Sequence, residues 1–213
     1  MKTKNRGYEG FLIAMEGIDG SGKSTQAALL QIALERLGYN CVVEKAKNNN
    51  QNNALKKFKD IFKISTDSIA FMFLYQALHR QQYERTKAML DAGNIVIADR
   101  WNMSFFVYHN IKGELSKKPK HFLQTLNKLA FEGLDPDICC FIDVPVDIAL
   151  KRRIVRGDVI ASLEEESAFY KQVAKVYHEL LVSKAHIVIN GALSIEVVHR
   201  QILEHTLTMI NKG

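Results

Sequence analysis

The sequence predicts an α/β protein with a parallel sheet covered by helices on both faces. Short β-rich apolar runs alternate with long helical patterns along the whole chain, and parallel strands joined by helical crossovers are buried on both sides. The first apolar run leads into Gly17-Ile18-Asp19-Gly20-Ser21-Gly22-Lys23-Ser24-Thr25, a glycine-rich turn that opens an apolar-striped helix. A turn of this type in a strand–turn–helix setting binds phosphate, because backbone N–H groups and the helix dipole converge on the anion.

Taken in order, the elements follow from local chemistry. A first strand is expected at Phe11–Met15, and a helix from Ser24 to Leu37 that Gly38 stops. The second strand falls at Asn40–Val43. The asparagine-rich tract Lys47–Asn53 reads as a loop by composition. A long helix over Ser68–Ala92 ends at Gly93, and the third strand, Asn94–Ala98, delivers Asp99-Arg100-Trp101. Lys112–Lys120, with Gly113 and Pro119, reads as another loop. The fourth strand is Ile138–Ile142, followed by the turn Asp143-Val144-Pro145 and the basic helix end Lys151–Asp158. A helix over Glu164–Ser183, a fifth strand at His186–Ile189 and a helix over Ser194–Asn211 complete the chain.

The 213 residues fit a single domain, 1–213, with no repeat and no linker. Hydrophobic residues at 47% and charged residues at 24% exclude disorder and a fibrous class. No apolar run reaches the length of a membrane span and no signal-type segment is evident, so no membrane partner and a cytoplasmic location are expected. Cys41, Cys139 and Cys140 lack metal-type spacing and lie in apolar stretches, as buried thiols. The formal charge of +6 is scattered rather than clustered with aromatics. A site for small phosphorylated ligands accounts for it, and no nucleic-acid partner is expected.

In the phosphate loop the glycines let successive N–H groups turn toward a β-phosphate. Lys23 reaches the β/γ oxygens and the Ser24 hydroxyl ligates Mg²⁺. Asp99-Arg100 follows a strand, where ligands of an open α/β sheet gather. Asp99 there suits Mg²⁺ or its waters and Arg100 suits an acceptor phosphate, against the alternative of a surface ion pair capping a helix. The run Lys151-Arg152-Arg153-Ile154-Val155-Arg156-Gly157-Asp158 has two readings, a mobile lid over transferring phosphates or a solvated basic helix end.

These pieces together resemble the thymidylate kinase family of nucleoside monophosphate kinases over nearly the whole chain. The resemblance rests on the stretch Phe11–Gln26, on Asp99-Arg100, on Pro136-Asp137 and Asp143-Val144-Pro145, on the pattern from Glu164 to Tyr177, and on Ile189-Asn190-Gly191. It implies a P-loop NTPase-type five-stranded parallel sheet flanked by helices, with a short lid at about 151–162, and a homodimer. The implied reaction is Mg²⁺- and ATP-dependent phosphorylation of a deoxynucleoside monophosphate, dTMP foremost. A related kinase for another nucleoside or nucleoside monophosphate and a regulatory nucleotide-binding protein with little turnover stand as alternatives.

By the resemblance, Gly17 through Thr25 bind ATP, Ser24 and Asp99 hold the metal, and Asp19 contacts the acceptor sugar. Arg100 takes the acceptor phosphate with Asp99 assisting. An ungapped count back from Asp99 places Tyr75 where the family stacks an aromatic on the base, and His79, beside Arg80, where it reads the base edge with an arginine. The family's arginine after the second strand is replaced in Glu44-Lys45-Ala46-Lys47 by Lys45, a point charge rather than a fork. The phosphate loop has no arginine between Asp19 and Lys23, so the catalytic arginine is expected from the lid, as Arg153 or Arg156.

Overall fold

The five apolar runs become five parallel strands in the order β2-β3-β1-β4-β5. A computed structural model describes residues 7–45, 49–66, 68–111, 117–181 and 186–212, and within these the side chains of all but 49–52 and 120. The strands are β1 (Phe11–Glu16), β2 (Cys41–Lys45), β3 (Ile95–Asp99), β4 (Ile138–Asp143) and β5 (His186–Asn190). The helices are α1 (Lys23–Arg36), α2 (Asn49–Ile61), α3 (Ile69–Asp91), α4 (Asn102–Ile111), α5 (Lys120–Phe131), α6 (Val146–Arg156), α7 (Leu163–Leu181) and α8 (Ile195–Ile210).

Successive side chains of a strand point to opposite faces, and β1 divides accordingly. Phe11, Ile13 and Met15 pack with Ala27, Leu30 and Leu34 of α1 and with Val198 and Ile202 of α8. Leu12 and Ala14 face the other way, onto Tyr83 and Leu90 of α3 and Phe131 of α5. Cys139 and Phe141 of β4 continue that second face under Val107 of α4 and Val173 and Tyr177 of α7. Each fully buried aliphatic side chain contributes roughly 1.5–3 kcal/mol, and Leu12, Ile13 and Met15 are all inaccessible to solvent. Sequence hydropathy alone therefore located β1.

Every strand ends one or two residues later than hydropathy indicated, and the added residues are mostly polar. The pairings Met15↔Asp99 and Lys45↔Asp99 extend the β1–β3 and β2–β3 ladders, and Asp143↔Asn190 extends β4–β5. The ladder hydrogen bonds do not depend on side-chain polarity, whereas an apolar-run criterion stops at the first charge.

The helices shift little from expectation where caps define them. Ser68 and Ser194 accept from Phe71 N and Val197 N and start α3 and α8. Gly38 and Gly93 sit at positive φ just past α1 and α3. Two loop expectations are corrected. Within Lys47–Asn53, residues from Asn49 onward belong to α2, since asparagine favours helix starts as well as loops; Lys47 and Asn48 lie outside the described residues. Within Lys112–Lys120, Pro119 is the N-cap of α5, while 112–116 lie outside the described residues, as does the end of the Glu164–Ser183 pattern after Leu181. Among the described residues no helix is long and apolar enough to cross a membrane.

Aromatic rings fill the junction of α3, α4 and α5. His79 lies between Phe105 and Phe131, at centroid distances of 5.7 and 5.5 Å, and His109 packs 4.7 Å from Phe105 and 6.3 Å from Tyr75. Burial among these rings pushes the His109 imidazole from its ordinary 6.5 down to about 4. Between those values the unfolded chain binds a proton that the folded protein does not, so stability is lost as pH falls from 6.5 toward 4. Urea unfolding at pH 7, 5.5 and 4.5 should show a shallower loss for His109→Gln than for the parent protein. Identical slopes would remove His109 as the source.

Candidate active site

The phosphate loop between β1 and α1 is shaped by close approach. Gly20, at φ +88°, passes so near α6 that a Cβ there would lie 2.3 Å from Ala149 O; any side chain would push the loop off the helix. Gly22, at φ 101°, caps α1, which aims the free N–H groups of the first turn into the crevice. Lys23 is buried, and its Nζ donates to Ile18 O at 2.7 Å. Burial, reinforced by the Arg100 charge, brings its pKa down to about 7.

At the carboxyl ends of β1, β2 and β3 the chain brings Lys23, Ser24, Lys45, Asp99, Arg100 and Arg156 around one crevice of about 230 Å³ that also touches Asp19. The Ser24 hydroxyl donates to Asp99 Oδ2 at 2.5 Å. These are hard oxygen donors side by side, and Mg²⁺ is typically held through one or two protein oxygens together with substrate phosphates. The residues present fit that ion.

Arg100 adopts φ +75°, a left-handed conformation that costs a side-chain-bearing residue about 1–2 kcal/mol. The site holds it there: its N–H bonds Met15 O at 3.1 Å, and its carbonyl accepts from the buried Gln82 Nε2 at 3.0 Å. Its Nη1 donates to Gly17 O at 3.0 Å and lies 3.1 Å from Ser104 Oγ and 3.3 Å from Tyr177 OH. Its Nη2 pairs with Asp19 Oδ1, and Asp19 Oδ2 accepts from Tyr170 OH at 2.7 Å. Burial alone would raise the Asp19 pKa, but the Arg100 and Lys23 charges outweigh it and hold the carboxyl well below the usual range. Asp19 thus faces Arg100 across the loop as well as the crevice.

Glu16, fully buried at the end of β1, accepts from Trp101 N, Ser104 N, Ser104 Oγ and Tyr177 OH. Burial raises its pKa despite these donors. Sequence reasoning assigned no role to Glu16, Ser104, Tyr170 or Tyr177. The available signals were an acid closing an apolar strand, a serine one helical turn after Arg100, and two tyrosines seven residues apart on one face of α7.

The two arginines of the expected lid are placed differently. Arg153 is buried over the Tyr170 ring, with Nε donating to Asp158 at 3.1 Å and Nη1 to Glu166 at 2.5 Å. It ties α6 to α7. Arg156 is exposed, lines the crevice, and is held by Asp158 through Nε at 2.8 Å and Nη2 at 2.6 Å. Of the expected lid at 151–162, residues up to Arg156 continue α6, and Gly157 at φ 90° turns the chain toward α7.

On α3, Tyr75 is half-buried, with its ring edge-on to Phe71 and His79. His79 is buried with Nδ1 3.2 Å from Gln76 Oε1. Arg80 is turned toward the end of α5, where it pairs with Glu84 and Glu132. None of Tyr75, His79 and Arg80 lines the crevice between the strand ends, and Arg80 is rotated about 100° from His79 on the helix.

Comparison with known proteins places the chain among named relatives. A family model described as thymidylate kinase matches residues 15–202. The thymidylate kinase of Kosmotoga olearia is 33% identical over 211 residues, covering 94% of this chain and 97% of its own. That of Sulfurihydrogenibium sp. (strain YO3AOP1) is 31% identical over 204 residues, covering 92% and 96%. That of Nostoc punctiforme is 32% identical over 216 residues, covering 96% and 98%. A family match over residues 15–202, and relatives above 30% identity covering more than nine-tenths of both chains, show that this chain belongs to the thymidylate kinase family.

Proposed function

We propose that this protein transfers the γ-phosphoryl group of ATP to dTMP, giving dTDP and ADP. The observation that carries this is the convergence of Lys23, the Ser24–Asp99 pair, Arg100 and Arg156 on a single crevice. An oxygen of the acceptor phosphate forms the new P–O bond while the bond from the γ-phosphorus to the β,γ-bridging oxygen breaks, and ADP leaves. Little covalent chemistry falls to the protein, so positioning and charge neutralisation supply the rate.

Lys23 and the α1 N-terminus hold the β- and γ-phosphates. Arg100 faces the acceptor phosphate, Lys45 adds a point charge on the same side, and Asp19 and Tyr75 contact the acceptor's sugar and base. Arg156, at the end of α6, meets the transferring group, with Arg153 fixing the helix behind it and 157–162 acting as the lid. Ser24 and Asp99 would hold Mg²⁺, which would supply neutralisation of the phosphate charge.

In a coupled ADP-release assay over a panel of nucleosides and monophosphates, dTMP should be the best acceptor. Lys23→Ala should lower kcat by about 10²-fold or more while the melting curve is unchanged, since it deletes donors aimed at the transferred charge. Turnover within a factor of a few of the parent would sink the kinase reading. A better acceptor elsewhere in the panel would keep the kinase and replace dTMP.

For base stacking, Tyr75→Ala should raise the acceptor KM about tenfold or more and leave the ATP KM within about twofold, an aromatic ring under a base being worth roughly 1–3 kcal/mol. Equal changes in both constants would take Tyr75 out of the acceptor site.

The same reading includes a homodimer. Phe58, Ile61 and Phe62 at the end of α2 are exposed, Phe58 and Phe62 with ring centroids 4.4 Å apart, and exposed apolar clusters of this kind mark interaction surfaces. Sedimentation equilibrium should give a dimer for the parent chain and a shift toward monomer for Phe62→Glu; a monomeric parent would refute it.

A further inference from the structure

Glu16 lies between the β1 core and the phosphate loop, and its carboxylate is inaccessible to solvent. Three of its four donors come from the turn that follows Arg100. Trp101 N and Ser104 N reach Oε1 at 2.9 and 3.3 Å, and Ser104 Oγ reaches Oε2 at 2.6 Å. The fourth, Tyr177 OH on α7, reaches Oε2 at 2.9 Å. The same two hydroxyls stand 3.1 and 3.3 Å from Arg100 Nη1.

Each hydroxyl has one proton to give. While Ser104 and Tyr177 give theirs to an anionic Glu16, both oxygens turn lone pairs toward the guanidinium N–H. A neutral group in place of the carboxylate leaves one hydroxyl free to point its proton at Arg100, and removes a buried negative charge that offsets the guanidinium from behind. Asp19 offsets the same guanidinium from the loop side, so the two acids grip Arg100 between them.

We propose that Glu16 is a positioning residue for phosphoryl transfer, setting the Ser104 and Tyr177 hydroxyls and, through them, the orientation of Arg100 toward the acceptor phosphate. This rests on the kinase reading, in which Arg100 serves the acceptor.

The test uses the full chain and the variants Glu16→Gln, Tyr177→Phe and the double variant, with melting curves, steady-state kinetics and calorimetric binding of dTMP without ATP. Glu16→Gln should raise the acceptor KM and Kd about tenfold and lower kcat, with the ATP KM within about twofold of the parent. Tyr177→Phe should shift the same constants in the same direction by a smaller factor, and the double variant should be no worse than Glu16→Gln, because the carboxylate acts in part through the tyrosine hydroxyl. If Glu16→Gln does not fold, Tyr177→Phe decides alone, since it removes one oxygen from a ring that stays packed. A lowered melting temperature with unchanged acceptor KM and Kd would overturn the proposal and leave Glu16 as a structural cap, and equal rises in both substrates' KM would overturn it too. A parent chain that turns over dTMP while the variants keep its acceptor constants refutes this inference alone. A parent that turns over no acceptor refutes the kinase reading, and the dTMP Kd then decides the role of Glu16.

Discussion

Like charges crowded into one crevice are the constraint from which the rest of the site follows. Lys23, Lys45, Arg100 and Arg156 stand around about 230 Å³. Two unit charges 4 Å apart repel by about 4 kcal/mol at the effective dielectric near a protein surface. The structure offsets this with acids placed behind the cations: Asp19 and Glu16 at Arg100, Asp158 at Arg156. At Lys23 the acids Asp19, Asp99 and Glu16 offset the charge only in part. The lysine is buried, its Nζ donates to the loop oxygens Ile18 O and Ser21 Oγ, and burial with the nearby Arg100 charge lowers its pKa. A polyphosphate relieves what the fold leaves unbalanced, which is how a cationic site favours the more highly charged transferring group.

The sheet order explains why these groups meet. β1 is central, with β3 on one side and β4 on the other, so the crossovers leaving β1 and returning to β4 go to opposite sides and open a crevice at the strand ends. Glu16, Lys45, Asp99 and Asp143 are each the last residue of their strand. A parallel sheet lines up its carboxyl ends, and one polar residue per strand suffices to build a charged rim on an apolar slab. α7 then crosses that rim, with Tyr170 on Asp19 and Tyr177 on Glu16.

The sheet was legible in the sequence because burial on both faces forces continuous apolar runs, and the phosphate loop because its glycines answer a backbone demand visible in local order. α2 and α5 were hidden by asparagine and proline, residues that serve helix starts and loops alike. The crevice was legible where its lining sits beside a strand, at Lys23, Ser24, Asp99 and Arg100, which the fold brings together. It was illegible where it depends on rotation about a helix or on long-range convergence. Nothing local separates Arg153, which locks α6 to α7, from Arg156, which faces the crevice. Nothing local shows that a tyrosine 161 positions from Glu16 shares its carboxylate.

The acceptor side shows how a departure from the family pattern is accommodated. After β2 the chain carries Glu44 before Lys45, placing an acid beside the crevice. Arg85 of α3 meets it, with Nε and Nη2 both on Glu44 Oε1 at 2.9 and 2.5 Å. A nearly buried carboxylate left unpaired would be strongly unfavourable and would also repel a phosphate. With Glu44 paired to Arg85, the positive charge facing the crevice from this strand is that of Lys45. A point charge gives attraction without bidentate geometry, so in the proposed reaction the direction of the acceptor phosphate would fall to Arg100. That would raise the demand on the Arg100 guanidinium to be held in one orientation, and Asp19, Ser104 and Tyr177 are packed around it.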